Sequence, residues 1–165
     1  MPSKLYPAGM KRMATILAKA LITTMPAWGP TKQAKQMEKR IINPWQWQDQ
    51  LSYVQAVEVK QPVGTLYVSG QAAVHADGQS STDDMKAQLL LAIQNLEQVV
   101  SEAGYECRNI VRLTIYTTSH EEFWPNFPIF QHWIAQHGIK QATTLLEVKS
   151  LTETLKVELE ATVVK

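Results

Sequence analysis

Residues 155–164 read Leu155-Lys156-Val157-Glu158-Leu159-Glu160-Ala161-Thr162-Val163-Val164. Apolar and polar side chains alternate with a period of two, the pattern of a strand with one buried and one open side. Val157, Leu159, Ala161 and Val163 form the apolar set; Glu158, Glu160 and Thr162 share the other side. Such a strand needs partners on its edges and helices over its apolar side.

The rest of the chain supplies them. Gln141 to Ser150 (QATTLLEVKS) reads as a strand, with Thr144, Leu146 and Val148 assigned to the helix side and Thr143, Leu145 and Glu147 to the open side. Ile110 to Thr118 alternates in the same way. Leu51 to Lys60 and Val63 to Gly70 are rich in β-branched and aromatic residues, and Pro62-Val63-Gly64 between them predicts a hairpin. Asp77-Gly78 marks a turn. Ser81-Thr82-Asp83-Asp84 reads as a capping box opening a helix. Leu89, Ile93, Leu96, Val100 and Ala103 line one face of that helix, and Gly104 stops it. Ser119-His120-Glu121-Glu122 opens a second helix that should end at Gly138, with Pro125 and Pro128 distorting its first turns. The order is β-β-α-β-α-β-β: an α+β fold, a mainly antiparallel sheet with two helices on one face. Its other face, mixed apolar and acidic, suits a partly buried subunit interface with a cleft.

The chain has 165 residues, 45% hydrophobic and 19% charged, which fits one globular domain plus an extension. No apolar run reaches the roughly 18 residues of a transmembrane helix. One cysteine, Cys107, excludes a disulfide framework and a zinc cage built from several cysteines. The net charge of +1 is no footprint for nucleic acid. That charge is split, because residues 1–36 carry six basic residues and no acid. Met10, Met13, Leu17 and Leu21 there have helical spacing. Residues 1–36 therefore read as a basic N-terminal extension, separate from a domain at 37–165. It is a targeting segment, a disordered or partner-binding arm, or a leader that is not native, with Met37 as the natural start.

His132 and His137 lie five apart and on a helix do not point together, and His75 and His120 stand alone. No base can be named for Cys107. Phosphate loops, dinucleotide fingerprints and nucleophile elbows are absent, and nothing calls for a metal or a cofactor. Trp45 and Trp47 read as edge packing, there being no basic groove in which they would stack on bases. What remains is Glu147, Glu158 and Glu160, either solvated surface carboxylates or a water-activating carboxylate in a semi-apolar cleft.

Five stretches in order carry a family resemblance: Tyr53-Val54-Gln55-Ala56-Val57, Leu66-Tyr67-Val68-Ser69-Gly70-Gln71, Asn95-Leu96 through Glu102-Ala103-Gly104, Asn109 to Tyr116, and Val157-Glu158-Leu159-Glu160-Ala161. Residues 41–165 resemble the reactive intermediate deaminases, the Rid or YjgF family, to which the endoribonuclease L-PSP name is also attached. The resemblance implies a cytoplasmic homotrimer, assembled like chorismate mutase, with the sheets inside and a cleft at each subunit junction. It implies a small-molecule substrate, no cofactor, and no nucleic-acid or membrane partner. In active members a glutamate positions the water that attacks an imine carbon, giving a carbonyl compound and ammonia, while an arginine pairs with the substrate carboxylate.

Carried over, the glutamate is Glu158, the site tyrosine Tyr53 and the serine–glycine pair Ser69-Gly70, with Glu160 beside the site. The site asparagine is Asn126, one residue before the ungapped position, Phe127. Where the family has Pro-x-Arg-Ser-Cys, this chain has Gln141-Ala142-Thr143-Thr144-Leu145. Thr143 replaces the arginine and Leu145 the cysteine, so the carboxylate clamp is missing. Losing such a pair in a desolvated site costs about 2–5 kcal/mol of binding. The expected function is hydrolysis of imines or enamines with altered specificity. The alternative is a non-catalytic trimer that binds a small molecule or a protein. The acidic inner face argues against ribonuclease action.

Overall fold

The computed structural model describes residues 37–165. The expected N-terminal extension, with its helical stripe, lies outside the described residues. Among the described residues the strands are β1 (Glu38–Ile42), β2 (Ala56–Lys60), β3 (Thr65–Ala72), β4 (Ile110–Thr117), β5 (Ala142–Glu147) and β6 (Val157–Val164). The helices are α1 (Met85–Glu102), the single turn α2 (His120–Phe123) and α3 (Phe127–His137).

The strand read from residues 157–164 is the spine of the molecule. β6 lies between β3 and β4, antiparallel to both, in a four-stranded sheet of order β3-β6-β4-β5. Its apolar set is buried throughout, Val157, Leu159 and Val163 completely. These side chains pack with Leu113 and Ile115 of β4, Leu89, Ile93, Leu96 and Val100 of α1, and Phe130, Trp133 and Ile134 of α3. The α+β class and the helices on one face are thus observed. β5 joins parallel to β4, the one parallel strand pair among the described strands.

Three sequence expectations are corrected. β2 and β3 do not form a hairpin: β2 pairs with β1, a strand that the pattern does not reveal, and β3 pairs with β6. β1 reads EKRII and is mostly exposed, so it carries no period of two; an Arg40–Glu58 ion pair at 2.8 Å crosses its ladder to β2. The N-cap of α1 is Asp84, whose carboxylate accepts the Ala87 N–H, rather than Ser81. Ala103, at the far end of that helix, is exposed. The prolines act as expected: α2 gives way to a 3-10 turn at Trp124–Asn126 before α3 begins, and α3 ends on Gly138 at φ 61°.

The third correction moves part of the expected site. Leu113 faces Thr143, Ile115 faces Leu145 and Thr117 faces Glu147 across the β4–β5 ladder. Paired residues share a face, and Leu113, Ile115 and Thr117 are buried on the core side. Thr143, Leu145 and Glu147 therefore lie on the helix side, and Thr144 and Leu146 on the open side, the reverse of the sequence assignment. The strand ATTLLE puts one Thr and one Leu on each face, so its own pattern is blind to a flip of this kind.

One buried polar side chain ties the loops at this end of the sheet. Gln88 is fully buried on α1. Its amide nitrogen faces the carbonyls of Ser81, Asp83 and Thr154 at 3.1–3.2 Å, and its oxygen accepts the Lys156 N–H at 2.8 Å. It joins the loop entering α1 to the loop entering β6. Gln88→Ala should strand these buried backbone groups and cost about 2–4 kcal/mol in denaturant unfolding, several times an exposed Gln94→Ala change.

Candidate functional site

The residues singled out from the sequence fall into two groups. The first is built around β5. Val54 bridges to Ala142, and its N–H donates to the Gln141 carbonyl at 3.0 Å, which lays Tyr53 beside the strand. The buried Gln141 side chain donates to the Ser52 carbonyl at 2.9 Å and to the Thr143 hydroxyl at 3.1 Å. Tyr53, Thr143 and Leu145 thereby line one pocket of about 310 Å³ under the helices.

Sequence reasoning misses most of that pocket. Its other walls are Trp124, Phe127 and Phe130, with Leu51, Ile115 and His120. Trp124 and Phe127 meet edge-on at 5.0 Å between ring centroids, and Phe127 stacks on Phe130 at 5.7 Å. Phe123, Phe127 and Phe130 are spaced i, i+4 and i+7, which reads as helix interior. Only the tertiary fold shows that Phe127 and Phe130 also line a cavity.

Asn126 does not reach this pocket. Its amide donates to the Glu122 carbonyl at 2.9 Å, and it lines a separate crevice with Asp84 and Lys86. Its neighbour Phe127 lines the pocket instead. Asn126 is the last residue of the 3-10 turn, and Phe127 is the first of α3.

The pocket is poor in charge. The Thr143 hydroxyl already accepts the Gln141 amide. His120 is held by its backbone N–H, which donates to the Glu147 carboxylate at 2.6 Å, while its Nδ1 lies 3.8 Å from the same oxygen. Its Nε2 is buried without a hydrogen-bond partner among the described residues.

The second group lies on the open side of the sheet. The β3–β6 register slips between Val68 and Gln71, so Ser69 and Gly70 form a bulge. At Gly70 the space of the missing side chain is filled by the Glu158 carboxylate, which a Cβ there would strike. Gly70 and Glu158 border a wide crevice of about 730 Å³ with Asn95 and Glu102 of α1. Glu160 is exposed and accepts the Tyr116 hydroxyl at 3.0 Å, a bond that raises the tyrosine pKa. Arg112 shares this open side and donates to the Thr144 hydroxyl at 2.7 Å.

Glu158 and Thr143 thus sit on opposite sides of one sheet, and a single chain does not bring the two groups together. Burial first, and then Glu97, push the Cys107 thiol up to about 11, which disfavours the free thiolate a nucleophile needs. Among the described residues, no helix is long and apolar enough to cross a membrane.

The family model described as Endoribonuclease L-PSP matches residues 48–165. A RutC family protein of Aquifex aeolicus is 32% identical over 113 residues, covering 68% of this chain and 88% of its own. A Salmonella typhimurium protein named 2-iminobutanoate/2-iminopropanoate deaminase is 27% identical, covering 68% of this chain and 87% of its own. Among solved structures, the Rid family protein YyfB of Yersinia pestis superposes with a TM-score of 0.69 at 26% identity, over 77% of this chain and 98% of that one. Sequence and backbone agree over the same folded domain, and the chain belongs to the endoribonuclease L-PSP family, the Rid or YjgF proteins.

Proposed function

We propose that this protein hydrolyses reactive, uncharged imines or enamines, and that its site is completed between copies of the chain in a closed homotrimer. The observation that carries the reading is the separation of the two groups. A pocket with no carboxylate in its lining lies under β5, and a seated carboxylate lies beside β3 at the border of a wide crevice. β5 and β3 are the two edges of the sheet. Repeating one contact between unlike edges lets each copy give one half-site and receive the other. The Salmonella relative's name supports the reaction class.

The chemistry needs one base. Glu158 takes a proton from water as its oxygen adds to the C=N carbon and passes that proton to the imine nitrogen, giving a neutral carbinolamine. Glu158 then takes the hydroxyl proton as the C–O bond becomes a carbonyl and the C–N bond breaks, and delivers it to the departing nitrogen, which leaves as ammonia. The substrate body rests against Trp124, Phe127 and Leu145. A 2-imino acid would bring a carboxylate to Thr143, which carries no charge to offset its desolvation.

An ammonia-release assay tests this. Wild type should turn over neutral imines and act weakly on 2-iminopropanoate. Thr143→Arg should raise the imino-acid rate, and Glu158→Gln should lower every rate by about 100-fold or more. Full activity in Glu158→Gln would overturn the assignment of Glu158, and no turnover of any imine by wild type would favour the non-catalytic alternative. Gly70→Ala should fold with a stability change under about 1 kcal/mol, yet displace Glu158 and lose activity. A crystal structure of Gly70→Ala with Glu158 still in its wild-type place would contradict the seating.

A further inference from the structure

Away from both half-sites, three side chains of different chemistry converge from separate segments. Glu97 comes from the C-terminal half of α1, Cys107 from the 3-10 turn before β4, and His137 from the last turn of α3. Their ligand atoms all lie within 4.8 Å of one another. We propose that Glu97, Cys107 and His137 bind a thiophilic divalent cation, with zinc as the fitting ion.

The donor set selects the metal. One thiolate, one imidazole and one carboxylate suit zinc and discriminate against magnesium and calcium, which prefer oxygen alone. The charges balance, since a divalent cation neutralises thiolate and carboxylate once it replaces the thiol proton. Zinc bonds of about 2.0–2.3 Å place tetrahedral ligand atoms roughly 3.4–3.6 Å apart. His137 Nε2 and Glu97 Oε1 are 2.9 Å apart and need to part slightly, while the sulfur draws in. Glu97 and His137 are half-buried and have room to do so, and Cys107 is fixed at the edge of the core.

The surroundings are those of a supported site. Trp133 Nε1–H donates to Glu97 Oε1 at 2.8 Å, which fixes the orientation of the carboxylate. The Trp133 ring also lies against His137, with centroids 6.3 Å apart. Three protein ligands leave a fourth position for water. A bound ion would clip the end of α3 to α1 and to the turn before β4.

The test uses the full chain and zinc chloride, with bound metal measured by equilibrium dialysis against a competing chelator. About one zinc per chain should bind, and Glu97→Gln and His137→Gln should each weaken binding at least about tenfold. Cobalt should give a thiolate charge-transfer band that is absent in Cys107→Ser. Sub-stoichiometric binding by wild type, or unchanged affinity in both Glu97→Gln and His137→Gln, would overturn the site. The cobalt spectrum of folded wild type decides the matter even where Cys107→Ser fails to fold: no sulfur band means no such site.

Discussion

Leu145 stands opposite Ile115 in the parallel register of β5 on β4, and that pairing decides where the candidate site is. Ile115 is buried in the core beneath the helices. Whatever shares its face opens toward α3, and so Thr143 and Leu145 open there too. On β6, next to β4, the apolar set is also buried, which turns Glu158 and Glu160 the other way. The hydrophobic demand of one core thus holds the two half-sites apart, and the proposed function follows only if a second copy reunites them.

The fold is largely legible because it is written in strong periodic signals. β6 alternates from Val157 to Val163, α1 presents a continuous apolar stripe, and the prolines and Gly138 punctuate α3 as their backbone geometry requires. The failures have physical causes. β1 is short, charged and exposed, so burial leaves no imprint on it. Turn residues alone suggest a β2–β3 hairpin, whereas the long ladder on β6 claims β3. For β5 each face carries one Thr and one Leu, and register decides which face meets the core.

The site is legible in part. Glu158, Gly70 and Tyr53 can be picked out from the chain, and the Gly70 position explains itself: only a residue without a side chain leaves room for the carboxylate. The aromatic walls are not legible, because Trp124, Phe127 and Phe130 are indistinguishable in sequence from a helix core. Nor is the grouping of Glu97, Cys107 and His137, whose members are far apart along the chain. Around Thr143 these rings give the pocket an apolar lining. Under the proposed function, burying apolar substrate surface there contributes about 25 cal/mol per Å².

The sharing of one site between copies is most directly tested by mixing two defective chains. Glu158→Gln lacks the carboxylate, and Thr143→Trp fills the pocket. Each alone should be inactive in ammonia release from a neutral imine. Co-expressed in equal amounts, they should recover about a quarter of wild-type activity, because random neighbours in a ring pair an intact carboxylate with an intact pocket at that frequency. No recovery, in assemblies shown to contain both chains, would mean that carboxylate and pocket act within one chain and would contradict the account.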